Sequence, residues 1–195
     1  MKYLVFVGAI INLILSSAYV KDMFRGKAKP NRVSWFIWST SGLIAGFAAL
    51  SAGVGLAVVP VFVSGLIPLS IFILSLFIKN AYWKIDKFDY ICGILSILAL
   101  ILWYITNEPI VAIIFAILSD AFASIPTIVK SWKYPETEST ATYIGGLLSL
   151  LTSFAAVEIW NFESLAFPSC SVVICIIIII GIKRGRFINI DRSNK

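Results

Sequence analysis

Between Arg32 and Lys79 the chain runs for forty-six residues, 33–78, without one charged side chain. As a single helix that run would be about 69 Å long at 1.5 Å per residue. The hydrocarbon core of a bilayer is only about 30 Å thick, so the run must fold back on itself. Ser51-Ala-Gly-Val-Gly55 is the only turn-like stretch near its middle. Nor is water a suitable solvent for the rest: 59% of the 195 residues are hydrophobic and 13% are charged. Soluble domains are roughly a quarter charged, and an ordinary one is excluded here by a mean hydropathy of +0.95.

The remaining charges act as punctuation. Spans are expected near 3–20, 34–51, 56–78, 90–106, 109–130, 140–158 and 164–182. Seven helices use up the length, which leaves no room for a soluble domain. Orientation follows from the basic residues in the short loops. Lys21, Arg25, Lys27, Lys29 and Arg32 follow helix 1; Lys79, Lys84 and Lys87 follow helix 3; Lys130 and Lys133 follow helix 5. Lys183, Arg184, Arg186, Arg192 and Lys195 form the tail, so 15 of the 16 basic residues lie on one side. Lys2, Glu108, Glu158 and Glu163 mark the other. An all-α integral membrane protein with its N-terminus outside and its C-terminus in the cytoplasm is expected. Its place is a cell membrane, as a multi-pass protein of the bacterial inner-membrane kind.

Trp35, Tyr82, Trp83, Trp132 and Tyr134 fit anchors at the inner interface, and Trp103, Tyr104 and Trp160 at the outer one. The basic loops read as topology signals beside an anionic leaflet, so nucleic acid is not an expected partner. Met1-Lys2 and the apolar run to Ala18 resemble a signal peptide, but the segment that follows is the most basic in the chain. Its translocation would violate the positive-inside rule, and helix 1 is expected to stay in place.

Several chemistries are absent. There is no histidine, and Cys92, Cys170 and Cys175 all lie in apolar runs without CxxC spacing. Neither a metal site nor a disulfide framework is expected, and no nucleophile–base pair or phosphate-binding loop is present. The chain is not expected to be an enzyme or to hold a cofactor, and nothing in it calls for an oligomer.

Shifting the chain by 107 positions lays residues 9–51 over 116–158 without a gap. Identities fall at Ala9/Ala116, Ile10/Ile117, Ser17/Ser124, Ile37/Ile144, Leu43/Leu150 and Phe47-Ala-Ala49/Phe154-Ala-Ala156. Each unit has a basic loop after its first helix and a proline, Pro60 or Pro168, in its third. Parallel repeats of this kind are a transporter plan.

In the second unit, Ile125-Pro-Thr-Ile-Val-Lys-Ser-Trp-Lys133 and Pro135-Glu-Thr-Glu-Ser139 resemble the pattern of the PQ-loop and SWEET (MtN3-type) transporter superfamily, in a distant or unclassified branch. The first unit carries Arg25-Gly-Lys-Ala-Lys-Pro-Asn-Arg-Val-Ser-Trp35 in the matching loop; there Tyr19 stands where the second unit has Pro126, and no Pro-Gln pair occurs. The resemblance implies a 3+1+3 layout. A first triple-helix bundle would take residues 1–78 and a linker helix 79–108. A second bundle would take 109–182, with a basic cytoplasmic tail over 183–195. It also implies a solute path between the bundles.

Asp120 is the one ionisable residue deep in a span, about 16 Å from either end of helix 5. A charge there costs about 2.5–3.5 kcal/mol on insertion scales, and such residues face a cavity or a partner. Asp120 is the expected solute-binding and proton-coupling group. Asn12 lies at the same depth in helix 1, and the repeat sets it against Ser119. Ser16 and Ser124 extend these two polar faces toward the cytoplasm. Trp38, one turn deeper than Trp35, is an expected pore residue. Pro60, Pro126 and Pro168, together with Pro68, are expected to bend helices and serve as gates. Gly42 and Gly46 form a GxxxG contact. A transporter of a small polar solute, such as a sugar or an amino acid, is the expected function. A non-transporting membrane scaffold or partner-binding protein is the alternative.

Overall fold

The computed structural model describes residues 2–78, 83–106 and 108–193. Met1, Lys79, Tyr82 and Lys195, named above, lie outside the described residues, as do the side chains of Trp103, Pro109, Arg186 and Arg192. The described residues form seven α-helices and two short 3-10 turns, with no strand among them. The helices are α1 (Leu4–Phe24), α2 (Arg32–Ser51), α3 (Val59–Phe77), α4 (Lys87–Thr106), α5 (Pro109–Lys133), α6 (Thr140–Ala156) and α7 (Phe162–Ser193).

Local chemistry sets the boundaries. Asn31 starts α2 earlier than expected, because its side-chain oxygen accepts from the backbone N–H groups of Val33 and Ser34 at 3.1 and 3.4 Å. The long uncharged run folds back after Ser51, where Gly53 adopts φ +81°, a conformation open to glycine without a Cβ clash. Pro60 does not bend a helix as expected. It lies in the first turn of α3, where its missing N–H breaks no helical bond. Pro68, Pro126 and Pro168 do lie inside helices. α7 continues past Ile182 to Ser193, and no proline follows Ile182 in the sequence to interrupt it.

The surface and interior are inverted relative to a water-soluble bundle. On α1 the buried stripe is Val5, Gly8, Asn12, Ser16, Tyr19 and Met23. The opposite face exposes Phe6, Ile10, Leu13 and Ile14. Elsewhere Phe47, Leu66, Phe77 and Ile180 are exposed, while Ser41, Asp120, Ser124, Thr127 and Ser149 are buried. Apolar side chains outside and hydroxyls inside are compatible with a membrane-embedded protein. Among the described residues, five helical segments are long and apolar enough to cross a bilayer: Leu4–Phe24, Arg32–Ser51, Leu56–Phe77, Ile110–Lys133 and Phe162–Arg184. Trp132 and Tyr134 are exposed near the end of α5, and Tyr104 and Trp160 near the other ends of α4 and α6.

Helix neighbours follow a pattern. α3 packs against both α1 and α2, and α7 packs against both α5 and α6. Across the molecule α1 meets α6 and α2 meets α5, while α4 lies mainly on α5. Small residues permit the closest approaches. A Cβ on Gly42 would stand 2.9 Å from the Cα and N of Gly65, so α2 and α3 touch backbone to backbone there.

Candidate functional site

Two antiparallel ladders of side chains cross the interior. Between α2 and α5, Ser41 Oγ donates to Asp120 Oδ1 at 3.1 Å. One turn along, Trp38 Nε1 donates to Ser124 Oγ at 2.9 Å. Ser124 in turn donates to the backbone carbonyl of Asp120 at 2.6 Å, which accounts for its own proton. The seam continues the other way as Ala45, Ala48 and Ala49 beside Ala112 and Ala116, all buried.

Between α1 and α6 the rungs are also turns apart. Asn12 lies against Gly145, where a Cβ would come within 2.9 Å of Asn12 Oδ1. Ser16 Oγ donates to Asn12 Oδ1 at 3.1 Å and pairs with Thr142 Oγ1 at 2.8 Å. Since Ser16 has one proton, Thr142 supplies the other. The last rung joins Tyr19 to Glu138 at 3.2 Å.

A cavity of about 80 Å³ lies between the ladders. Its walls come from six helices and include Asn12, Trp35, Trp38, Ser64, Asp120 and Thr142. α7 adds Ser171 and Cys175, and no described residue of α4 reaches it. Ser171 Oγ donates to Asp120 Oδ2 at 3.4 Å. Both hydroxyl bonds to this carboxyl are long, since a strong bond to a carboxylate is about 2.5–2.7 Å.

Toward the basic-loop end the cavity meets packed rings. Trp35 lies 5.2 Å from Trp38, 6.2 Å from Tyr143 and 5.1 Å from Tyr19 between centroids. Beyond them is a buried ion pair: Lys130 Nζ and Glu138 Oε1 are 2.6 Å apart, with side chains 2% and 0% exposed. Tyr143 also donates to Glu138, at 3.0 Å. Lys130 donates further to the carbonyl of Lys29, and its ammonium lies 4.8 Å from the Trp83 ring centroid. Asp89 Oδ1 accepts from Asn31 Nδ2 at 2.7 Å, joining α4 to the start of α2.

Asn12, Asp120 and Trp38 thus line the cavity as their depth suggested. Ser16 and Ser124 stand behind it, each holding a lining residue. Ser119 is buried but does not line it, and its backbone carbonyl accepts from Ser96 of α4 at 3.0 Å. Pro68 lines the cavity, whereas Pro60, Pro126 and Pro168 do not. Trp35 is 2% exposed rather than interfacial, and Lys130 is buried rather than a surface topology charge. Sequence reasoning missed Ser41, Thr142, Tyr143, Ser171 and Glu138. Ser41 carried a usable signal, because it lies one turn from Trp38 on the same face of α2. No protein-family model matches this chain, nor does any curated protein or solved structure.

Proposed function

We propose that the protein is a membrane transporter for a small polar solute, working by alternating access between two three-helix units. The units are α1–α3 and α5–α7, with α4 as a linker, the N-terminus outside and the C-terminus in the cytoplasm. A distant PQ-loop or SWEET-like ancestry accompanies this reading. The observation that carries it is a largely apolar cavity at mid-depth that holds Asn12, Asp120 and Ser171, with walls drawn from both units and from no described residue of α4. The helix neighbours support it further: the third helix of each unit lies between the first two, and the cross-contacts α1·α6 and α2·α5 are those a pseudo-twofold axis would relate.

Access in such a molecule requires a closed end and an open one. The rings of Tyr19, Trp35, Trp38 and Tyr143 and the Lys130–Glu138 pair close the basic-loop end. The pair spans the α5–α6 connection, while Tyr19 of α1 and the Lys29 carbonyl tie it to the other unit. Rocking of the units must separate those ties.

Cys175 provides the test, because it lines the cavity and is only partly buried. In sealed, oriented vesicles, with Cys92 and Cys170 replaced by Ser, a charged membrane-impermeant thiol reagent is applied to one face at a time. Alternating access predicts that Cys175 reacts from both faces. Reaction from one face only, or from neither, would sink the transporter reading in favour of a scaffold.

A further inference from the structure

We infer that the cavity selects a small monovalent organic ammonium ion, methylated or alkylated at nitrogen and lacking a carboxylate. The inference rests on the transporter reading and names the substrate class of the same site. Three features point to it: an acid with no cationic partner, rings walling the adjoining turn, and a lining whose hydroxyls are already engaged.

Charge decides first. Among the described residues Asp120 is the only acid lining the cavity, and no lysine or arginine lines it. Its oxygens receive two long hydroxyl bonds, one each from Ser41 and Ser171, although a carboxylate has about four acceptor positions. A buried ion of this kind needs a countercharge. At Glu138, another buried acid, the chain supplies Lys130, and at Asp89 it supplies the Asn31 amide; at Asp120 no described residue supplies a cation. A solute bearing a carboxylate or phosphate would find no basic group and would face Asp120.

Hydrogen-bonding capacity argues against a sugar. Ser41 and Ser171 point at Asp120, Ser64 donates to the Val61 carbonyl at 2.7 Å, and Thr142 is paired with Ser16. Few free partners remain for a polyol, whose recognition needs several convergent polar groups. Apart from Asn12 and the Trp35 indole N–H, which has no hydrogen-bond partner among the described residues, what remains is aliphatic and aromatic. Trp38 stands nearly perpendicular to both Trp35 and Tyr143, at 81° and 82°, with centroids 5.2 and 6.4 Å away. Rings meeting at such a corner suit an alkylated cation, drawn by their quadrupoles and packed through its methyl groups. Size agrees: 80 Å³ holds roughly five to eight water-sized groups at about 10–15 Å³ each, the scale of tetramethylammonium or choline.

The test uses the purified full-length protein in lipid nanodiscs with radiolabelled choline. Saturable binding is expected. Its uncharged carbon isostere, dimethylbutanol, and its zwitterionic relative, glycine betaine, should compete about tenfold or more less well. Asp120→Asn should weaken choline binding by a similar factor, while Asp120→Glu, which keeps the charge, should retain part of it. No choline or tetramethylammonium binding to the native protein, or equal competition by the isostere or betaine, overturns the inference without recourse to any variant. The Cys175 assay separates the two readings. If Cys175 reacts from both faces but neither ammonium ion binds or protects it, the substrate class is wrong and transport stands. If choline protects Cys175 but the thiol is reached from one face only, the ammonium site stands and alternating access is wrong.

Discussion

Replacing Glu138 by Gln removes one charge from the ion pair at the basic-loop end and leaves the shape of the side chain nearly unchanged. Lys130 then keeps its charge in a site where its side chain is 2% exposed. Breaking a buried pair from one side costs about 3–5 kcal/mol, because the remaining charge is uncompensated. Asp89 also attracts Lys130, which places the expected loss near the lower end, about 3 kcal/mol. For a chain of this size each kcal/mol moves Tm by roughly 2–4 °C, so a fall of about 6–12 °C is expected. The assay is thermal unfolding in detergent, followed by tryptophan fluorescence.

The double variant Lys130→Met/Glu138→Gln carries the argument further. It removes both charges, while the Gln carbonyl can still accept from the hydroxyls of Tyr19 and Tyr143. Most of the lost stability should return, a coupling of about 2–3 kcal/mol. If the two single losses simply add in the double variant, the pair is not held in a low-dielectric site and the reasoning fails. A second readout bears on the closure: the single variant Glu138→Gln should let an impermeant reagent reach Cys175 faster from the basic-loop face.

Three further outcomes are expected. Gly42→Ala should destabilise by about 1–3 kcal/mol through overpacking, since its Cβ would meet the backbone of Gly65 at 2.9 Å, whereas Gly55→Ala meets nothing within 4 Å and should be close to neutral; equal melting curves would refute the close crossing. A fluorescent-protein fusion after Lys195 should glow and an alkaline phosphatase fusion there should be inactive, and the reverse pattern would invert the orientation. Choline binding should weaken as pH falls, because a proton and a cation compete for Asp120. Asp120→Asn should flatten that profile; the titratable groups facing Asp120 are Cys170 and Cys175 of α7, with Tyr143 of α6 across the cavity, and a profile unchanged in Asp120→Asn would assign the effect to them.

The helix positions were legible because charges are excluded from hydrocarbon over a known thickness, so their spacing placed α1 and α5, and the glycine-bearing stretch Ser51–Gly55 placed the fold-back within the uncharged run. Depth likewise picked out Asn12 and Asp120. The same reasoning was blind to Lys130 and Glu138. Counting charges treats each one as the edge of a span in contact with water, and these two are covered by α1, by the rings and by the Lys29 backbone. Trp35 misled for a related reason: a tryptophan near a span end usually anchors at the interface, and only the packing of Tyr19 and Tyr143 over it shows that it is buried. Pro60 shows a third gap. Whether a proline bends a helix or begins one depends on where the helix starts, and an apolar run does not mark that start.

Glu138 and Asp120 are buried acids whose charges are answered differently. Both lie on the α5–α6 half of the molecule, and both accept from hydroxyls of neighbouring helices. Glu138 meets a lysine at 2.6 Å and two tyrosines, so its charge is answered from within the chain, and the pair can hold two units together. Among the described residues the Asp120 carboxyl meets two hydroxyls, at 3.1 and 3.4 Å, beside the cavity. If Asp120 were present for packing, a nearer donor would stabilise the fold more. A carboxyl left short of partners at the centre of a bundle costs stability, and on the proposed reading that cost is offset only when a cation from outside completes the pair.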